Sequence, residues 1–191
     1  MSHLSTAADA MAAVVRSITP DQLTNPTPCT EYDVRALVNH LLFWGPSLEG
    51  AGRKESVPPP ATEVDLTTGD WRGDLLAQLD RTARTWEPVS AWEGTTYMGG
   101  PNEMPAAMIG DMITGELVVH GWDFAQATGQ RLDLPEDLLT YLLGAVAEGV
   151  EQGRAMGIYG PEVPVPADAP TLDRILGITG RDPAWVSTVT V

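Results

Sequence analysis

Apolar residues recur at steps of three and four in five long segments of the chain, and this period predicts amphipathic α-helices. The first segment spans Leu4 to Ile18 and stops before the Thr19-Pro20 pair, which disfavours further helix. The other predicted helices are residues 30–49, 70–87, 104–127 and 135–157. The 104–127 segment is apolar on nearly all sides. We therefore expect it to lie at the centre of the fold, against several neighbours.

Capping and turn residues set the expected limits of these helices. Thr30 and Asp33 have the pattern of a capping box, which predicts that the second helix opens there. Residues 50–69 contain three consecutive prolines and lack helical periodicity, so we expect a surface connection. Residues 89–103 predict a loop or a short hairpin, with strand character around 95–98. In the proline-rich tail, residues 158–191, a short helix is predicted at 171–176.

Long helices joined by mostly short connections predict an all-α fold, an antiparallel helical bundle. We expect one domain over residues 1–191, with a main bundle at 1–157. Residues 158–191 are expected to pack on that bundle as a short C-terminal helix and an irregular tail. A functional site would then be built from side chains that face one another between helices.

The excess of acidic residues disfavours some classes of binding partner. Acidic residues outnumber Lys and Arg by 26 to 11, for a formal net charge of −15, and no basic run is present. Nucleic acid and membrane surfaces are therefore not expected partners. The N-terminus lacks the pattern of a secretory signal, and no apolar run reaches about 18 residues. Cys29 is the only cysteine, so an internal disulfide is excluded. Together these features lead us to expect a cytoplasmic protein.

Glu116 and His120 are the strongest candidates for chemistry, because they lie one turn apart on the apolar face of the fourth predicted helix. A buried carboxylate requires a proton, a partner or a metal ion. His40 flanks the apolar stripe of the second helix, so a divalent ion could bind His40, Glu116 and His120 together. Two histidines and one carboxylate suit zinc, although nickel or iron accept the same set. The alternative is a plain Glu-His hydrogen bond with His40 apart from it.

Three further features have two interpretations each. Asp123 is placed to accept the second ring N–H of His120, or else is a surface carboxylate. Cys29 precedes a helix start, which favours a reactive thiol, but a lone cysteine also packs as a small apolar residue. Trp44 and Trp122 either line a pocket or belong to the core.

Several stretches resemble a known family. They run from Gly99-Gly100-Pro101 through Glu116-Leu117-Val118-Val119-His120-Gly121-Trp122-Asp123 to Ala127-Thr128-Gly129, and from Thr27-Pro28-Cys29-Thr30-Glu31-Tyr32-Asp33-Val34-Arg35 to Asn39-His40. With Gly180-Arg181-Asp182-Pro183-Ala184-Trp185, they resemble the single-domain branch of the mycothiol-dependent maleylpyruvate isomerase N-terminal family, in the DinB-like superfamily. The resemblance implies a four-helix DinB-like bundle with a divalent metal held by His40, Glu116 and His120.

The resemblance also implies chemistry, because the superfamily includes transferases and isomerases that use thiols such as mycothiol or bacillithiol. The expected function is therefore that of a metal-dependent enzyme acting on a small molecule, with mycothiol as a cosubstrate, in a monomer or a homodimer. Maleylpyruvate isomerisation itself uses an additional C-terminal domain, for which residues 158–191 are too short. The alternative function is that of a non-catalytic binding or regulatory bundle, in which the metal is structural or lost.

Overall fold

The computed structural model describes residues 2–62 and 64–187. Over these residues it contains seven helices and one two-stranded sheet, so the predicted all-α class is confirmed. The helices are α1 (His3–Ser17), α2 (Val34–Gly52), α3 (Trp71–Thr85), α4 (Val89–Trp92), α5 (Ala106–Thr128), α6 (Glu136–Ala155) and α7 (Thr171–Ile178), with a 3-10 helix at Pro20–Thr24. The strands are β1 (Thr95–Tyr97) and β2 (Glu103–Pro105), which pair antiparallel.

Short polar side chains begin three of the long helices. The carboxylate of Asp33 accepts a hydrogen bond from the backbone N–H of Ala36 at 2.7 Å, and Asp70 does the same for Gly73 at 3.1 Å. Ser2 caps α1 in this way. The predicted opening of α2 at Thr30 is wrong, because Thr30 lies in a turn and Asp33 is the cap. Both residue types suit the cap position, so the sequence pattern does not separate them.

The segment between α3 and α5 contains the predicted hairpin and one element that sequence analysis missed. β1 and β2 pair from Thr95 opposite Pro105 to Tyr97 opposite Glu103. The short helix α4 precedes them within the predicted loop. It is a single turn, too short for its hydrophobic period to be recognised.

Four helices enclose the core. α1 contacts α3 and α5, and α2 contacts the same two helices, so that the four form a closed bundle. Fully buried apolar side chains fill its interior: Leu4, Met11, Val15, Leu37, Val38, Leu75, Ile109 and Ile113. α6 packs on the outside of this bundle, where it contacts α5 and, less extensively, α1. As expected, α5 is central, because it touches α1, α2 and α6 and buries residues around most of its circumference.

The C-terminal segment folds back over α6. α7 contacts α6, and the backbone N–H of Val163 donates a hydrogen bond to the carbonyl of Gly177 at 2.9 Å. The guanidinium of Arg154, near the end of α6, donates to the carbonyl of Ile178 at 3.0 Å. These contacts bring the residues after α7 close to α5. Among the described helices, none combines the length and apolar character needed to cross a bilayer.

Gly129 ends α5 in the left-handed backbone region, with φ of 68°. We expect Gly129→Ala to lower the free energy of unfolding by about 1–2 kcal/mol, because a Cβ is disfavoured in that region. No atom lies within 4 Å of the added Cβ, so the cost arises from the backbone alone. Urea denaturation measures it. Gly144→Ala, at an exposed position inside α6, is the control and should stabilise by up to about 1 kcal/mol; equal effects of the two variants would contradict the argument.

Candidate metal centre

The packing of α2 against α5 brings three candidate ligands together. Glu116 and His120 are one turn apart on α5, and His40 faces them from α2. One nitrogen of each histidine and one carboxylate oxygen lie within 4.8 Å of one another. Within the part of the chain that the structure describes, no fourth His, Cys, Asp or Glu joins this group. The three residues singled out in the sequence are therefore neighbours in the fold.

Both imidazole rings present the same nitrogen to the carboxylate. Nε2 of His120 lies 3.3 Å from Oε2 of Glu116, and Nε2 of His40 lies 3.8 Å from the same oxygen. The two rings meet edge to face, with 5.4 Å between their centroids. His120 is almost fully buried, whereas about a fifth of the His40 and Glu116 side chains is exposed, 22% and 19%. The group thus has a buried side and a side open to solvent.

The other ring nitrogens are held from behind. Nδ1 of His120 is 2.9 Å from Oδ2 of Asp123, and Nδ1 of His40 is 3.2 Å from the hydroxyl of Tyr32. A carboxylate can only accept from His120 Nδ1, so Asp123 fixes the tautomer of the neutral ring with its lone pair on Nε2. Asp123 is completely buried, in agreement with the first of its two interpretations.

Arg181 extends this arrangement into the C-terminal segment. Its guanidinium donates to both carboxylate oxygens of Asp123, from Nε to Oδ1 at 3.1 Å and from Nη2 to Oδ2 at 3.2 Å. Two donors in one plane match the geometry of a carboxylate. A continuous chain of hydrogen bonds therefore runs from Arg181 through Asp123 to His120.

The charges of the group shift two pKa values in opposite directions. Burial alone would raise the pKa of Glu116, but the positive charges and hydrogen bonds of His120 and His40 hold it far below its usual range. Burial alone would lower the pKa of His120, but the charge of Glu116 and the hydrogen bond to Asp123 raise it to about 9. In the metal-free protein the pair is therefore an ionised Glu116 and a protonated His120 at neutral pH.

Sequence analysis missed Arg181 and Tyr32. Both lie within the stretches that carry the family resemblance, but no spacing rule connects Arg181 to Asp123, which is 58 residues away. Tyr32 lies just before α2, eight residues from His40, so helical spacing could not place its hydroxyl at the ring.

The remaining candidates lie outside the ligand group. Cys29 is buried, and burial raises the pKa of its thiol although the nearby Arg181 opposes the shift. A raised pKa disfavours the thiolate, which favours the interpretation of Cys29 as a packed residue. Trp122 is buried, whereas Trp44 is half-buried and its ring lies beside the hairpin glycine Gly99. Neither tryptophan ring donates a hydrogen bond in the described residues that would mark it as part of a polar site.

Comparison with known proteins identifies the family of the chain. A family model described as the mycothiol maleylpyruvate isomerase N-terminal domain matches residues 4–125, a segment that includes His40, Glu116, His120 and Asp123. The chain belongs to this family. The predicted DinB-like helical bundle is thereby confirmed, and the family is one related to a small-molecule thiol, mycothiol.

Two relatives are similar to this chain over more than the segment that the family model matches. Two uncharacterised proteins, from two strains of Mycobacterium tuberculosis, are each 30% identical over 179 residues. The alignments cover 92% of this chain and 93% of each relative, so the similarity extends past residue 125, where the family match ends. No solved structure matches the chain.

Proposed function

We propose that this protein is a metal-dependent enzyme of the thiol-dependent transferase or isomerase type, in which His40, Glu116 and His120 hold one divalent ion. The observation that carries the proposal is the convergence of both Nε2 atoms on one oxygen of Glu116, with all three donor atoms within 4.8 Å. Zinc is the metal proposed, and nickel or iron suit the same donors. Mycothiol or a related small thiol is the proposed cosubstrate, since the family is named for it.

The donor set fits a metal in three respects. Two imidazoles and one carboxylate are a ligand combination of catalytic zinc sites. Both Nδ1 atoms are engaged by Asp123 and Tyr32, which leaves both Nε2 atoms for coordination. The exposed side of His40 and Glu116 gives a ligand access to the group. Three protein ligands and an accessible side support a catalytic site over a closed structural one.

A divalent ion bound by these residues would lower the pKa of a thiol or water that reaches it and so supply a nucleophile near neutral pH. The residues of the chain each have a part in holding that site. Asp123 accepts the Nδ1–H of His120 and keeps the ring oriented, while Arg181 balances the buried charge of Asp123. Glu116 contributes the negative charge that offsets part of the charge of a cation.

The proposal predicts that mycothiol binds the zinc-loaded protein and loses its proton on binding. About one proton should be released per thiol bound, and binding should tighten as the pH rises toward the pKa of the free thiol, because the thiolate is the metal ligand. Calorimetry in two buffers of different ionisation enthalpy counts the released protons. The same titration is repeated with bacillithiol and with cysteine.

A matched pair of carboxylate variants locates the effect. Glu116→Gln should weaken thiol binding and reduce proton release, whereas Glu87→Gln, an exposed carboxylate after α3, should change neither. Failure of all three thiols to bind the zinc-loaded protein would overturn the thiol chemistry. Proton release that Glu116→Gln leaves intact would overturn the placement of the site.

A further inference from the structure

A cavity of about 400 Å³ lies between α5 and α6, outside the ligand group. Its volume falls in the range of about 300–1,000 Å³ typical of small-molecule sites. Four methionine side chains line its walls, and thioethers adapt to ligands of irregular shape. They are Met104, Met108, Met112 and Met156.

The polar side chains at this cavity have one sign of charge. Asp111 and Glu148 line it, together with the uncharged Gln152 and Tyr159, and no basic residue does. Among the described residues, neither carboxylate takes part in an ion pair with Lys or Arg. Burial raises the pKa of Asp111, and the charge of Glu148 raises it further, although a hydrogen bond from Tyr141 and the charge of His3 oppose the shift. The net shift is upward, so the surroundings of Asp111 leave its negative charge incompletely compensated, which favours a cation.

The cavity adjoins the candidate metal centre along α5. Met112 lies one turn before Glu116. Tyr159 forms the wall between the two sites, because its hydroxyl is 3.4 Å from the position that a Cβ on Gly115 would occupy. The negative charge of Glu116 contributes to raising the pKa of Tyr159 to about 12, after burial as the main cause. Tyr159 thus separates the cavity from the group formed by His40, Glu116 and His120.

We propose that this methionine-lined cavity binds the apolar body of a small organic amine, with its ammonium group at Asp111 and Glu148. An apolar wall and two uncompensated carboxylates complement such a molecule, whereas a carboxylate ligand would meet like charge. This inference does not rest on the proposed function, because the cavity lies outside the group formed by His40, Glu116 and His120.

The test uses three probes of the same shape and different charge, phenylbutylamine, phenylbutanol and phenylbutyrate, titrated into the purified full chain by calorimetry. The amine should bind most tightly and the carboxylate most weakly. Asp111→Asn should weaken amine binding by about tenfold and leave phenylbutanol unchanged. Equal binding of amine and carboxylate, or no binding of any probe at millimolar concentration, would overturn the proposal.

Two glycines of α6 provide a matched pair that locates the binding. Gly149 lines the cavity and has no atom within 4 Å of an added Cβ, so Gly149→Leu should fill the space and abolish amine binding. Gly144 is equally unobstructed but does not line the cavity, so Gly144→Leu should bind as the parent does. Thermal denaturation checks that both variants are folded. Amine binding that survives Gly149→Leu would place it elsewhere.

These outcomes are independent of the metal centre, because the assay measures equilibrium binding and requires no turnover. Amine binding that persists in His120→Ala would support the cavity site, whether or not that variant binds metal. Conversely, if the protein binds metal but not the amine, the proposed function stands and the amine site is overturned.

Discussion

His120→Ala is expected to reduce the zinc content of the protein from about one ion per chain to less than about a tenth. The variant removes the most buried of the three proposed ligands, and it also removes the ring that Asp123 orients. Two ligands, one of them the partly exposed His40, would remain. Elemental analysis of protein purified without chelator and dialysed against metal-free buffer measures the loss.

His3→Ala is the matched control for this experiment. The same side chain is removed, but His3 begins α1 and stacks on Tyr141, outside the ligand group. Its zinc content should equal that of the parent. Undiminished zinc in His120→Ala would contradict the proposed ligand set.

The pH dependence of zinc binding gives a second readout of the same site. Because Glu116 raises the pKa of His120 to about 9, the ring is protonated at neutral pH in the metal-free protein and must lose that proton to bind zinc. Apparent zinc affinity should therefore rise with pH through the neutral range and level off only above it, once His120 has lost its proton. A profile that levels off near pH 7 would mean that the ion pair with Glu116 does not control binding.

Arg181→Met is expected to lower the free energy of unfolding of the metal-free protein by about 3–5 kcal/mol. Asp123 is completely buried, and Arg181 is the residue that donates to both of its oxygens. Without the guanidinium, the carboxylate keeps one of its side-chain partners among the described residues, His120, and becomes a buried charge with too few partners. Urea denaturation followed by circular dichroism measures the change.

The double variant Arg181→Met with Asp123→Asn separates charge from packing. Removing both charges should recover part of the loss, since the uncompensated carboxylate is gone. Arg131→Met is the control, because Arg131 is 89% exposed and its ion-pair partner among the described residues is the exposed Asp133. That variant should change stability by less than about 1 kcal/mol. A loss for Arg181→Met no larger than for Arg131→Met would contradict the role assigned to the buried pair.

The sequence allowed the long helices to be predicted because each buries one face, and burial of a face imposes the helical period on apolar residues. It also indicated that Glu116 and His120 share a face, since a spacing of four residues determines this locally. Boundaries were less certain. Thr30 and Asp33 are both good caps, and only the backbone path into α2 decides between them.

Contacts between distant segments could not be read from any local pattern. Arg181 is one of ten arginines in an acidic chain, and nothing in its neighbourhood distinguishes a buried partner of Asp123 from a solvated side chain. The cavity between α5 and α6 was also hidden. Two of its methionines, Met108 and Met112, have helical spacing within α5, which is equally the pattern of a packed core.

The hydrogen-bond chain from Arg181 to His120 connects the C-terminal segment to the ligand group, so the stability of one is coupled to the stability of the other. Coupling between two sites is reciprocal, so whatever restrains His120 also favours docking of the segment after α7, by the same free energy. A protein shortened before Arg181 would keep His40, Glu116 and His120 in its sequence but leave the carboxylate behind them without its counter-charge. The C-terminal segment, although distant in sequence, therefore helps to hold His120 in position.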